Sequence, residues 1–228
     1  MWFMKPKGLL PAEECNPGRS SPNRETPSID KLHFVHKTRL HAPWPEGMEL
    51  AMFGFGCFWC SENVLLNKPG VHSTQVGYAG GVTLNPTYRD VCGGDTNHNE
   101  VVRVVFDPNV LPFSELLRAF WQAHDPLTPN QQGNDRGTQY RSGIYYYSEA
   151  QKADAEASKF AYECALRLSY SKGAKISTEI VPAPHFYMAE DAHQQYDAKP
   201  GSREYCGLSP LGVKCPPASD WAKPANAM

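Results

Sequence analysis

From Glu49 onward the apolar positions of the chain follow two spacings, near-continuous or alternating in some stretches and every third or fourth residue in others. ELAMFGF (49–55) predicts a buried strand, and Trp59 to Asn67 a short helix that Pro69-Gly70 stops. TQVGYAGG (74–81) reads as a second strand ending at glycines. EVVRVVFD (100–107), apolar on both faces apart from Arg103, reads as a third. Leu116, Leu117, Phe120 and Trp121 make one helical stripe, with Ser114 as the expected N-cap. SGIYYYS (142–148) has the composition of a strand. Ser148 and Gln151 form a capping-box signature ahead of AQKADAEASKFAYECALRL, a strong helix. ISTEIVP supplies a last strand, and an irregular Gly/Pro-rich stretch follows.

The first six elements run β-α-β-β-α-β, the order of a ferredoxin-like split βαβ core. One helix and one strand are added to it. The expected fold class is therefore α+β, a two-layer sandwich with an irregular C-terminal tail. Residues 1–46, rich in Pro, Ser, Asn and charge, are expected to be a disordered leader. Residues 47–228 are expected to form a single catalytic domain, with 198–228 a flexible tail. A chain of 228 residues can bury one sizeable core, and no repeat at solenoid spacing is present.

Bulk properties exclude more than they assign. The hydrophobic share is 41% and the charged share 20%, ordinary for a globular protein. A formal net charge of -2 gives no electrostatic reason to expect nucleic acid or an anionic membrane as partner. The longest apolar run, Met48 to Trp59, is too short to span a bilayer. MWFMKPKGLLPAEEC lacks an apolar h-region, and Glu13 and Glu14 sit where mitochondrial addresses avoid acids. A cytoplasmic protein is expected, with a mitochondrial one the alternative. With no interface signal, the default is a monomer. The seven cysteines are odd in number and no N-x-S/T acceptor is present, which favours a reducing compartment with some catalytic or metal-binding thiols.

The stretch GFGCFWCSE (54–62) concentrates the chemistry. Cys57 falls between the first strand and the first helix, where free N–H groups and the helix dipole favour a thiolate. The flanking glycine lets the chain turn sharply there. The alternative is a small core residue. Cys57-x-x-Cys60 has the spacing of a redox pair. A zinc site would need a second pair, and Cys206 and Cys215 are nine positions apart with no His cluster to complete a set. Asp95, Asn97 and Asn99 mimic the start of a calcium loop, but Glu100 stands where glycine is required. Glu100 is then either a solvated strand entry or a carboxyl in an apolar cleft, where burial would raise its pKa and suit it to act as an acid. Cys206 and Cys215 are either a structural staple or mobile thiols for disulfide relay.

In order along the chain, GCFW (56–59), VGYAGG (76–81), NPTYRDVC (85–92), GGDT-H-E (93–100), HDP (124–126), QGNDRGTQYRS (132–142), AEDAHQQY (189–196) and YCGL…GV-CP (205–216) resemble the A class of peptide methionine sulfoxide reductases. The likeness covers about three-quarters of the chain. It implies reduction of the S-epimer of methionine sulfoxide, in oxidised proteins and as the free amino acid. It implies no metal or organic cofactor, with reducing equivalents from thioredoxin, or dithiothreitol in vitro. Cys57 matches the nucleophile and Glu100 the proton donor. Tyr88 and Tyr140 match the hydroxyls facing the sulfoxide oxygen, Phe58 and Trp59 the methyl pocket, and Asp135 a substrate-positioning acid. Cys206 matches the thiol that resolves the sulfenic acid, and Cys215 the one that recycles it. Two departures stand out. Cys60 occupies a position where the family usually has glycine, which adds a further candidate redox thiol. Asn97 and Asn99 stand where glycine and alanine are common.

Overall fold

The computed structural model describes residues 8–202 and 205–221. Its elements, in chain order, are β1 (Glu49–Gly54), α1 (Phe58–Leu66), β2 (Val71–Ala79), α2 (Tyr88–Gly93), β3 (Asn99–Phe106), α3 (Phe113–Ala123), β4 (Gln131–Gln132), β5 (Asp135–Arg136), β6 (Gly143–Tyr146), α4 (Glu149–Ser169), β7 (Glu179–Pro182) and β8 (Tyr187–Met188). Six strands form one sheet in the order β7-β6-β1-β3-β2-β8, and β4 and β5 make a small separate hairpin. The central four, β6-β1-β3-β2, pair antiparallel throughout, which is the ferredoxin-like arrangement expected from the element order. Helix α4 returns the chain to place β7 parallel to β6, and β8 caps the opposite edge.

Alternation along the strands explains the two layers. Ala51 and Phe53 of β1, Val76 and Tyr78 of β2, and Val102, Val104 and Phe106 of β3 face the helices. There they meet Leu65 of α1, the Leu116, Leu117, Phe120, Trp121 stripe of α3, and Tyr162 and Leu166 of α4. The other face carries a smaller cluster of Met52, Ala79, Val101 and Tyr145, against which Ala183 and Phe186 pack. Arg103 belongs to that second face. Its guanidinium lies 4.1 Å from the Phe186 ring centroid and its Nε donates to Gln75 Oε1 at 2.8 Å. No helix among the described residues is long and apolar enough to cross a membrane.

Local details differ from the sequence expectations in instructive ways. Helix α3 begins one residue before Ser114, and its N-cap is Pro112, whose φ of -58° presets the turn. Ser148 does cap α4, accepting from the Gln151 N–H. The return bond from Gln151, however, reaches the Tyr147 N–H rather than that of Ser148. Helix α2 was not expected. It is only six residues long, held by a reciprocal capping box between Thr87 and Asp90 and ended by Gly94 in the left-handed region at φ 86°.

The expectation of a disordered leader fails for residues 8–46, and residues 1–7 lie outside the described residues. The segment has little regular structure, yet Leu40 and His33 are fully buried. Arg19 pairs with Asp90 at 2.8 Å. Asn97 clamps the Leu10 backbone from both sides, accepting from its N–H at 2.9 Å and donating to its C=O at 2.8 Å. His33 Nε2 meets Thr74 Oγ1 at 3.0 Å, and Thr74 donates on to Glu62 of α1 at 2.7 Å. Gln195 gives Glu62 two more hydrogen bonds, one from its backbone and one from its side chain. Composition registers how little apolar surface such a segment can bury, but not that its polar groups find specific partners. The tail also lies against the domain. Cys215 and Trp221 are buried, and Tyr162 of α4 donates to the Val213 carbonyl at 3.2 Å.

Leu40→Ala should lower stability by about 2–5 kcal/mol in urea unfolding, as for other core leucines. On an unpacked leader the loss would stay within about 0.5 kcal/mol. Burial lifts the Glu62 carboxyl from 4.5 to about 7, so its stabilising contribution is complete below the unfolded value and fades as pH rises through about 7. Burial also depresses His33 to about 3, and its contribution runs the other way, fading as pH falls from 6.5. The clean measurement is therefore wild type against Glu62→Gln. Their stability difference should move against the wild type by on the order of 3 kcal/mol between acid and mildly alkaline pH. A difference that stayed flat with pH would contradict it.

Candidate active site

The chain leaves β1, turns at Gly56 and enters α1 with Cys57 as N-cap. Gly56 has φ 106°, and a Cβ there would lie 2.8 Å from the Gln132 side chain and 3.2 Å from Leu208, so only glycine fits the corner. Cys57 is 7% exposed. Its sulfur interacts with the thiol of Cys60 one turn along α1 and with the Glu100 carboxyl. The hydrogen bond from Cys57 to Cys60, then burial, then the charge of Glu100 push the Cys57 thiol well above its ordinary value. The same hydrogen bond holds Cys60 down at about 7. Against the expectation that the helix dipole favours a Cys57 thiolate, the bond with Cys60, then burial, then the Glu100 charge favour the thiol. Cys60 is drawn down by the Cys57 thiol first, against burial, and further by the Cys206 thiol and the Gly207 backbone.

Glu100 sits near the start of β3, paired in register with Tyr78 of β2, and is 2% exposed. Its Oε2 accepts the Phe58 backbone N–H at 3.1 Å. Tyr88 of α2 and Tyr140 both feel the Glu100 charge. Burial first, with Glu100 among the further causes, pushes both phenols up and keeps them as hydrogen donors. Asp135 of β5 accepts from Tyr205 Oη at 2.7 Å. Its other oxygen, Oδ2, is buried and has no hydrogen-bond partner among the described residues.

An aromatic wall completes the site. Phe58 is fully buried, and the Tyr88 ring lies nearly parallel to those of Phe58 and Trp59, with centroids 6.2 and 6.1 Å away. Sequence reasoning assigned no role to the residues that hold this wall. Tyr196 stacks on Trp59 at 4.1 Å, and Trp59 Nε1 donates to His193 Nδ1 at 3.2 Å. Burial depresses His193, so the ring stays neutral with a lone pair to accept that bond. Glu190 accepts from Tyr78 Oη and from the Tyr88 backbone N–H, both at 2.8 Å. Glu190, His193 and Tyr196 all belong to AEDAHQQY, so the dense polar–aromatic run after the last strands was the available signal. The two asparagine departures also find reasons. Asn97 clamps the N-terminal arm, and Asn99 donates to Tyr145 Oη at 2.9 Å and to the Arg141 carbonyl at 3.0 Å.

The structure separates the tail thiols. All seven cysteines are free. Cys206 is exposed and its thiol interacts with that of Cys60, whose Sγ also reaches the Tyr205 carbonyl at 3.3 Å. Next to it, Gly207 fits so tightly that a Cβ would lie 2.2 Å from Asp135 Oδ2. Cys215 is instead sealed against α3 and α4. Its N–H reaches Gln122 Oε1 at 3.3 Å, and burial raises its thiol to about 12. Among the described residues, no group of three or more His, Cys, Asp or Glu could hold a metal ion.

Comparison with known proteins agrees with this geometry. Residues 49–214 match the family model described as peptide methionine sulfoxide reductase. The chain is 52% identical to peptide methionine sulfoxide reductase MsrA 1 of Synechocystis sp., over 94% of this chain and 93% of that one. It is 50% identical to the MsrA of Vibrio cholerae, over 92% and 96%. The solved structure of methionine sulfoxide reductase A of Corynebacterium diphtheriae superposes with a TM-score of 0.74 at 37% identity, covering 89% of this chain and 99% of that one. With its sheet order, its Gly56–Trp59 corner and these relatives in agreement, the chain belongs to the peptide methionine sulfoxide reductase family.

Proposed function

We propose that the chain reduces the S-epimer of methionine sulfoxide, in oxidised proteins and as the free amino acid, with Cys57 as nucleophile and Glu100 as acid. The observation that carries this reading is one cluster: Cys57, Glu100, Tyr88 and Tyr140 converge beside the Phe58–Trp59 wall. A methylsulfinyl group is amphipathic, and this cleft is amphipathic in the same sense. The methyl group rests on the rings while the oxygen meets the two phenols and the carboxyl. Asp135 Oδ2, open and buried, takes a substrate N–H.

A sulfoxide oxygen leaves poorly unless protonated. Transfer of one proton from the Cys57 thiol to Glu100 creates the nucleophile and the acid together. The thiolate then attacks the substrate sulfur while Glu100 returns the proton to oxygen, and Tyr88 and Tyr140 stabilise the charge that develops there. The hydroxyl passes from the substrate sulfur to the Cys57 sulfur as the bond between the two sulfurs breaks, methionine departs with the electron pair, and Cys57 is left as a sulfenic acid. Thiols of the chain then condense with it, expelling water, and the oxidation passes to Cys206 and Cys215. Thioredoxin supplies the two electrons that reset the enzyme, and no metal or organic cofactor takes part. The exposure of Cys206 suits this exchange, which needs in-line access to sulfur. Such thiol chemistry suits a monomer in a reducing compartment such as the cytoplasm.

Cys57→Ser should form no N-acetylmethionine from N-acetylmethionine S-sulfoxide in a single turnover. A wild-type yield from that variant would end the nucleophile assignment. Glu100→Gln should slow the same step by roughly 10²–10⁴, the usual worth of one positioned acid. A rate within a factor of two of wild type, measured by quenched flow, would remove Glu100 from the role.

A further inference from the structure

We propose that Arg141 is a positioning residue for the reaction, a staple that holds the Glu100 carboxyl and the Tyr140 phenol at a fixed separation. This inference rests on the reductase reading above and concerns the step in which the sulfoxide oxygen is protonated. Its basis is a pair of neighbours. Asn99 immediately precedes Glu100 at the start of β3, and Arg141 immediately follows Tyr140 at the end of a 3-10 turn, Thr138–Tyr140. Successive side chains of a strand point to opposite faces, so Asn99 turns away from the side that Glu100 takes. Tyr140 feels the Glu100 charge, while Arg141 lies with Asn99 beside Tyr145 and Glu179.

There the guanidinium joins two segments far apart in sequence. Its Nη1 donates to the Asn97 carbonyl at 3.1 Å, three residues before the acid. It also donates to the Thr138 carbonyl at 2.9 Å, two residues before the phenol. Asn99 Nδ2 closes the ring by donating to the Arg141 carbonyl at 3.0 Å. Glu179 of β7 anchors the fork, its Oε1 accepting from Arg141 Nε at 2.8 Å and from Tyr145 Oη at 2.6 Å. Tyr145 Oη in turn accepts from Asn99 Nδ2 at 2.9 Å.

Arg141 is only 6% exposed. A planar guanidinium can hold a carboxylate and two carbonyls at once, which the single nitrogen of a lysine cannot do in the same geometry. Both carbonyl bonds go to the segments that deliver Glu100 and Tyr140, so the staple acts through those two groups. Loosening it shifts acid against phenol and slows the chemical step. Substrate binding is affected less, because the aromatic wall belongs to α1 and α2.

The test is quenched flow on the full chain without reductant, over a series of N-acetylmethionine S-sulfoxide concentrations in excess. The rate constant and the amplitude of N-acetylmethionine formation are read separately. Misfolded chains lower the amplitude, whereas misplaced groups slow every chain. Arg141→Lys should slow the step by roughly 10–10²-fold at the wild-type amplitude, with the half-saturating concentration within about a factor of three. In a Tyr140→Phe background the same substitution should cost at least ~3-fold less, because the hydroxyl it positions is gone. A wild-type rate constant in Arg141→Lys overturns the staple, and so do losses that multiply in full. Asn99→Ala removes two bonds of the network and installs a residue common at that position in the family. Should Arg141→Lys not fold, Asn99→Ala decides. A slowing of about 2–5-fold, coupled to Tyr140→Phe in the same sense, sustains the proposal, and an unchanged rate constant overturns it. If the unmodified chain forms no N-acetylmethionine, the reductase reading itself fails; if it does and the variants match it, only the staple fails.

Discussion

The hydrogen bond from the Phe58 backbone N–H to Glu100 is the contact on which the site depends. A helix start leaves several N–H groups without partners, and a carboxylate from β3 takes one of them. That single bond ties the middle of the sheet to the corner carrying Cys57. It also sets up a competition, because the helix end welcomes one negative charge and two anions side by side repel. Carboxylate and thiolate therefore disfavour one another. In the roles proposed above for Cys57 and Glu100, moving one proton between them would produce nucleophile and acid together.

Around this bond the fold works as a positioning frame. Pairing of Glu100 with Tyr78 holds the acid at one edge of the helix-facing layer, and Tyr78 in turn donates to Glu190. Glu190 accepts from the start of α2 and from Asn23 of the N-terminal arm, at 2.9 Å in the latter case. The N-terminal arm and the segment after β8 thus meet at Glu190. The arm's polar composition is matched group by group to the surface it crosses.

The central strands, α1, α3 and α4 were legible in the sequence because their apolar spacing is long enough to repeat. EVVRVVFD read correctly as a strand covered on both faces, with Arg103 accommodated between Trp44 and Phe186. Helix α2 and strand β8, six and two residues long, contain too little pattern to register. The packing of residues 8–46 was illegible for a different reason. Hydrogen bonds such as Asn97 to Leu10 join positions 87 residues apart, and no local signal announces them. At the site, residue types and their motifs were visible, while the electrostatic balance was not. A cysteine at a helix start reads as a thiolate until burial and a nearby carboxylate are known. Likewise His193, Glu190 and Tyr205 acquire meaning only once folding has brought them against Trp59, Tyr88 and Asp135.

The burial of Cys215 against α3 and α4 has a consequence for survival under the very oxidants that create the substrate. Peroxide attacks accessible thiolates, and over-oxidation beyond sulfenic acid is irreversible for most cysteines. A thiol kept protonated within the apolar core is spared that attack. In the recycling role proposed for Cys215, the idle enzyme would thus carry its last sulfur as a reserve under cover.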